Sequence, residues 1–254
     1  MTNHQSAYFE FLCHFGDNAL ILGHRLSEWC GHAPSLEEDI ALANTALDLM
    51  GEAQLWLGLA SDVEGHNRTA DDLAMHRDVW DFRNFLLTEQ PNGDFGQTIM
   101  RQYLFDAWHV PTLTALTSSI EKSIVEIAQK TVKEARYHLS RSRDIVIGLG
   151  DGTIESRKRM QSALELLFPY VGEFFTSDSV EQQMVKEGVL SNLDNLRKSY
   201  FEEINKTFSS ATLTLPNIQF SQKGGKTGKQ HSEHLGHILN QMQWLSRAYP
   251  DANW

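Results

Sequence analysis

The chain has 254 residues, 41% of them hydrophobic, which is enough to bury a substantial core and sets it apart from disordered sequences. Its formal net charge of −11 argues against nucleic acid as a partner, since the phosphates would repel such a surface. The opening Met-Thr-Asn-His-Gln-Ser lacks the basic start of a secretory signal, and no stretch approaches the roughly 18 uninterrupted apolar residues of a membrane span.

In chain order the sequence reads as a series of helices. A first helix is predicted from about Tyr8 to about Cys30, closed by Gly31. Both cysteines, Cys13 and Cys30, fall on it, about 25 Å apart at 1.5 Å per residue, so they cannot bridge each other and a reducing cytoplasm is expected. Ser35 opens the second helix as N-cap, with Glu38 three residues on as its capping-box partner. This helix continues through LANTALDLMGEAQLWLGLA to the polar DVEGHNRT. It is apolar nearly all round (Leu42, Ala43, Ala46, Leu47, Leu49, Met50, Ala53, Leu57) and is therefore expected at the centre of the fold. A third helix starts near Thr69, boxed with Asp72, and stops at Gln90-Pro91-Asn92-Gly93. A fourth covers about Asp94 to Ser118, with Pro111 expected to kink or break it. A fifth runs from about Ile120 to Leu149 and ends among Gly148, Gly150 and Gly152. Beyond Thr153 come shorter helices, a loop over 216–230 rich in Gly and Lys, and a closing helix to Tyr249.

Long antiparallel helices with short connections make a bundle. The expected architecture is one all-α domain over residues 1–254, with a core bundle at about 5–150 and a helical extension at about 153–254.

The polar residues on the inward faces carry the functional question. On the fifth helix, positions 124, 128, 131, 135, 138, 142 and 145 form one small and apolar stripe, and His138 lies on it. Di-iron carboxylate bundles use Glu-x-x-His at i, i+3. Here Glu134 sits one residue too early, and Ala135 fills the place three before His138. On the fourth helix, the stripe 99, 103, 106, 110, 113 puts Asp106 among core residues, with His109 three further on. The second helix carries Asp48 and Glu52 at i, i+4. Buried carboxylates need a partner charge, a metal or a proton. One reading is a di-iron centre from Asp48 or Glu52, Asp106, Glu134 and His138. The other pairs these groups among themselves and with Arg136, Lys133 or Arg101. No complete E-x-x-H pair exists in this region, which favours the second reading.

Other signals carry less. GGKTGK (224–229) departs from the phosphate-loop pattern, which needs a preceding strand and Ser or Thr after the lysine. Lys223, Lys226 and Lys229 still concentrate positive charge and suit an acidic neighbour or a coenzyme A phosphate. His231, His234 and His237 step by three and fan apart along the closing helix, fitting hydrogen bonds better than a metal. The tryptophans (Trp29, Trp56, Trp80, Trp108, Trp244, Trp254) are expected mostly in the core, with some as interface anchors. No G-x-S-x-G or Cys/His constellation supports nucleophilic catalysis.

Five pieces in order, EWCGHAP (28–34), LTEQPNGDF (87–95), RQYLFDAWHV (101–110), KEARYHL (133–139) and HSEHLG (231–236), resemble the ferritin-like structural subunit of phenylacetyl-CoA oxygenase (ring epoxidase) complexes. The resemblance covers nearly the whole chain. It implies a ferritin-like bundle that binds a homologous catalytic subunit, which carries the di-iron centre, with further oxygenase and reductase components in the complex. It implies no cofactor in this subunit and contact with phenylacetyl-CoA only indirectly. The E-x-x-H motifs of the catalytic subunit would fall near Leu49 to Glu52 and at Ala135 to His138, so two ligand positions hold hydrocarbon. The first two helices and their junction, Glu28 to Glu38, are the expected contact, with the closing helix as the alternative and a weak homodimer when the partner is missing. Two rivals remain: a di-iron oxygenase or oxidase active on its own, and an iron-storage or scaffold bundle.

Overall fold

A computed structural model of the chain describes residues 3–217, 220–250 and 252. Trp254, the first two residues of the amino-terminal stretch and Ile218-Gln219 of the predicted loop lie outside them. Among the described residues the fold is all-α with no strand, built on long ferritin-like helices, as expected. No described helix is long and apolar enough to cross a membrane. The chain divides into two compact units, residues 1–90 with 223–254, and residues 91–222.

The first unit is built on α1 (Asn3–Ser27) and α2 (Leu36–Glu64). Ser35 caps α2, accepting from Glu38 N–H, and Gly65 ends it in the left-handed conformation at φ 69°. The two helices approach closely because α1 presents glycines. A Cβ on Gly16 would stand 2.7 Å from the Leu57 side chain, and one on Gly23 would stand 3.2 Å from the Ala46 carbonyl oxygen. Helix α2 does not have the all-round burial expected of it. It buries Leu42, Ala46, Leu49, Glu52, Ala53, Trp56 and Leu57, while Leu36, Ile40 and Leu47 face outward at 71%, 53% and 68% exposure. Helix α1 also ends earlier than expected. Trp29 N–H donates to the Leu26 carbonyl and Cys30 N–H to the Ser27 carbonyl in turns beyond the helix, so Cys30 does not share a helix with Cys13. Both thiols are free, Cys13 buried and Cys30 exposed.

The third helix predicted over 69–90 is instead two short ones, α3 (Ala70–Met75) and α4 (Leu86–Glu89), separated by a single 3-10 turn (Val79–Asp81) and extended chain. The expected Thr69–Asp72 capping box is present. The helix stops because α1 side chains claim the following backbone amides: Arg83 N–H donates to Asp17 Oδ2 at 2.8 Å, and Phe85 N–H to Asn18 Oδ1 at 2.9 Å. Asp17 also forms a buried bidentate pair with Arg77, whose guanidinium lies 4.5 Å from the centre of the Phe82 ring.

The second unit is built on α5 (Phe95–Leu116) and α6 (Lys122–Gly150), followed by α7 (Ile154–Leu167), a 3-10 segment (Phe168–Phe175), α8 (Ser179–Lys186) and α9 (Leu193–Ser210). Asp94 caps α5. Pro111 does not break this helix. Thr112 and Thr114 follow it and donate their hydroxyls to the Trp108 and Val110 carbonyls. The inward stripe of α6 is buried from Ile124 through Ser142 and continues at Val146. Aromatic edge contacts bind α9 to this core, with Tyr103 and Phe208 at 5.6 Å and Phe174 and Tyr200 at 5.9 Å. The final helix, α10 (Glu233–Ala248), belongs to the first unit, where Gln243 Nε2 donates to the Ala74 and Arg77 carbonyls. Trp56 and Trp108 are buried, Trp29 is half-buried, and Trp80 and Trp244 are exposed.

The Asp17–Arg77 pair generates the first prediction. Asp17→Asn leaves a buried guanidinium without its charge and should cost about 3–5 kcal/mol in urea unfolding. Replacing both partners together, Asp17→Leu with Arg77→Met, should cost less than the sum of the single changes.

Candidate functional site

Asp106 is the buried carboxylate around which a site would form. It projects from the middle of α5 and is buried, and the oxygens of its carboxyl are both used. Gln102, one turn earlier on α5, donates through Nε2 to Oδ1 at 2.7 Å. Ser142 of α6 donates its hydroxyl to Oδ2 at 2.7 Å. Burial raises the Asp106 pKa above the ordinary carboxylate value, while His138, those two hydrogen bonds and His109 pull it the other way. His138 is buried on the α6 stripe one turn before Ser142. The structure therefore brings Asp106 and His138 into electrostatic range, as the inward faces predicted.

Glu134 is half-buried beside this face, and Ala135, at the position a bridging carboxylate would need, is buried. In the first unit Glu52 is buried and its Oε1 accepts from Trp56 Nε1 at 2.9 Å, while Asp48 is half-buried and Leu49 is buried. Within each unit, among the described residues, no group of three His, Cys, Asp or Glu is placed to hold a metal ion. One Asp oxygen accepts from an amide and the other from a hydroxyl, and methyl-bearing side chains stand where ligand carboxylates would. What the cluster can do chemically is hold two inward helix faces in register through hydrogen bonds.

A second polar cluster escaped the sequence reading. Glu89 is sealed from solvent and accepts from four donors. These are Asn84 Nδ2 at 3.0 Å, His231 Nδ1 at 2.5 Å, Ser232 N–H at 2.7 Å and Ser232 Oγ at 2.6 Å. The Glu89 carbonyl in turn accepts from Arg25 Nε and Nη2. Glu89 and His231 lie in two of the five pieces quoted above, and a buried Glu beside Pro and a His-Ser pair before a helix were the available signals. His231 precedes α10 instead of lying on it, while His234 and His237 sit on the helix, half-buried and exposed. Of the three lysines in the 223–229 loop, Lys223 and Lys229 are exposed, but Lys226 is only 7% exposed and is held within the protein. Gly225 lets this loop lie on the backbone of 84–86: a Cβ there would meet the Asn84 carbonyl oxygen at 2.5 Å.

Comparison with known proteins places this geometry in context. The profile of the family described as "Phenylacetic acid catabolic protein" matches residues 1–254. The chain is 44% identical over 239 residues to one of the subunits of the 1,2-phenylacetyl-CoA epoxidase of Escherichia coli (strain K12), covering 94% of this chain and 96% of that protein.

The raised pKa of Asp106 sets the sign of a pH test. A carboxyl that holds its proton more tightly when folded stabilises the fold less as pH rises from its unfolded value, about 3.9, through its folded one. Asp106→Asn keeps an acceptor for Gln102 and removes the titration. The variant should therefore gain stability relative to the parent as pH climbs through that window, read as the difference in thermal midpoint between pH 5 and pH 8. An identical pH dependence in the two proteins would refute the assignment.

Proposed function

The chain belongs to the phenylacetic acid catabolic protein family, and from that premise we propose that it is a non-catalytic structural subunit of a phenylacetyl-CoA epoxidase complex. Its task is to bind and stabilise a homologous ferritin-like subunit that carries the di-iron centre, with the other oxygenase and reductase components joining the same assembly. No cofactor is assigned to this chain, and phenylacetyl-CoA meets it only through the complex. Two free cysteines suit a reducing cytoplasm.

The observation that carries the reading is the replacement of ligands by hydrocarbon at Leu49 and Ala135, together with the full hydrogen bonding of the Asp106 carboxyl. A bundle without redox chemistry of its own retains a role if a partner covers part of its surface. The junction between α1 and α2 supports this. Residues 27–37 are largely exposed, and Leu36, Ile40 and Leu47 form an outward apolar stripe on α2. This stripe is assigned to the partner, with α10 as the alternative contact, where Trp244 on the helix and Tyr249 just beyond it are exposed. If the 223–229 loop meets an acidic neighbour or a coenzyme A phosphate, Lys223 and Lys229 make the contact, because Lys226 is buried.

Co-expression with the family's catalytic subunit should give one heteromeric peak on size-exclusion chromatography, and separate elution at micromolar concentration would sink the reading. Leu47→Asp should weaken that association at least tenfold while leaving the thermal midpoint of the isolated chain nearly unchanged, since the side chain is exposed. Ala135→Glu should destabilise the chain by several kcal/mol, because a charge enters a buried position, and should yield no oxygen-dependent turnover. About two tightly held iron atoms per purified chain would instead favour the independent oxygenase.

A further inference from the structure

Within the second unit, the 3-10 segment, α9 and residues 220–221 enclose a cavity of about 290 Å³. Its walls are aromatic: Phe168 and Phe175 come from the 3-10 segment, Phe201 from α9 and Phe220 from the chain beyond it. Phe220 is 66% exposed, so a large ring is left in water beside other rings. The wall that carries it is fixed. Gln222 N–H donates to the Pro169 carbonyl at 2.9 Å, and a Cβ added to Gly172 would collide with the Ser221 side chain. Among the described residues, Arg197 is the one charged residue that lines the cavity, and no carboxylate does. It stands one turn before Phe201 on α9, with its guanidinium carbon 5.7 Å from the centre of that ring.

We propose that this cavity binds a small aromatic carboxylate, its ring between the phenylalanines and its carboxylate on Arg197. Rings favour offset and edge contacts with other rings, and a guanidinium offers a planar fork that matches a carboxylate. The size agrees. An apolar cavity of about 150 Å³ suffices for benzene, so 290 Å³ holds one ring with a short acid arm. Other ligand classes fit less well. An amine would meet a like charge and no counter-ion. A sugar would find few free donors, since the Thr176 hydroxyl already donates to the Gly172 carbonyl at 2.9 Å and the Ser221 hydroxyl to the Pro169 carbonyl at 3.3 Å. Coenzyme A brings several phosphates to a single cation. The site needs neither a metal nor a partner subunit, and so stands or falls separately from the subunit reading.

The test is ligand-observed NMR titration of the full chain with phenylacetate, the simplest probe of the class, and with phenethylamine, which has the same ring and the opposite charge. Saturable binding of phenylacetate is expected, weakened about fivefold by Arg197→Gln, as suits an exposed ion pair. Phe220→Ala, also at an exposed position, should weaken it too, and phenethylamine should show no saturable binding. The proposal is overturned if phenylacetate does not saturate by about 20 mM, if Arg197→Gln binds it equally well, or if the amine binds as tightly as the acid.

Discussion

A carboxylate sealed from water must draw its counter-groups from the protein itself. Glu89 draws them from residues far apart in sequence: Asn84 nearby, and His231 and Ser232 from beyond the entire second unit. The first unit is made of two separate stretches of chain, and this carboxylate is one of the places where they are tied. Ser232 precedes the first turn of α10, yet its hydroxyl goes to Glu89 instead of to its own helix. The negative charge thus sits at the positive end of α10, where the helix dipole favours it. Through its carbonyl, the same residue holds Arg25 of α1. Gly225 of the 223–229 loop serves this junction by letting backbone lie against backbone at Asn84 and Leu86.

Asp106 shows the other way to settle a buried acid. It accepts from an amide on its own helix and a hydroxyl on the next, and burial favours its protonated form. Glu52 on α2 is also buried, and accepts from the Trp56 indole one turn along its own helix. In both places hydrogen-bond donors supplied by neighbouring turns take positions around the carboxyl. Such networks specify one arrangement of helix faces, because any slip leaves a buried polar group unpaired.

The long helices were legible because period and punctuation agree. Ser35 and Thr69 cap as read, and the α6 stripe from Ile124 to Ser142 is buried as its spacing required. The segment 76–85 was not legible. Its amides bond to Asp17 and Asn18, more than sixty residues away, and no local pattern announces a competitor at that distance. Pro111 was expected to kink or break its helix, and α5 continues through it without a break. For the candidate site, the positions of Asp106 and His138 followed from periodicity. The donors Gln102 and Ser142 were visible as residues on the same faces, though their saturation of the carboxyl needed coordinates. The open face of α2 was hidden by composition, since an apolar stripe looks the same in sequence whatever covers it.

The early end of α1 gives the two thiols different chemistry. Cys13 lies inside the first unit, where burial pushes its pKa up to about 12, so almost none of it is thiolate near neutrality. Cys30 stands in the exposed turn between α1 and α2. A thiol-directed dye added to the native protein therefore labels a single position without any mutation. That position lies in the turn leading to α2, so the fluorophore would report on the junction proposed above as the contact with a second protein.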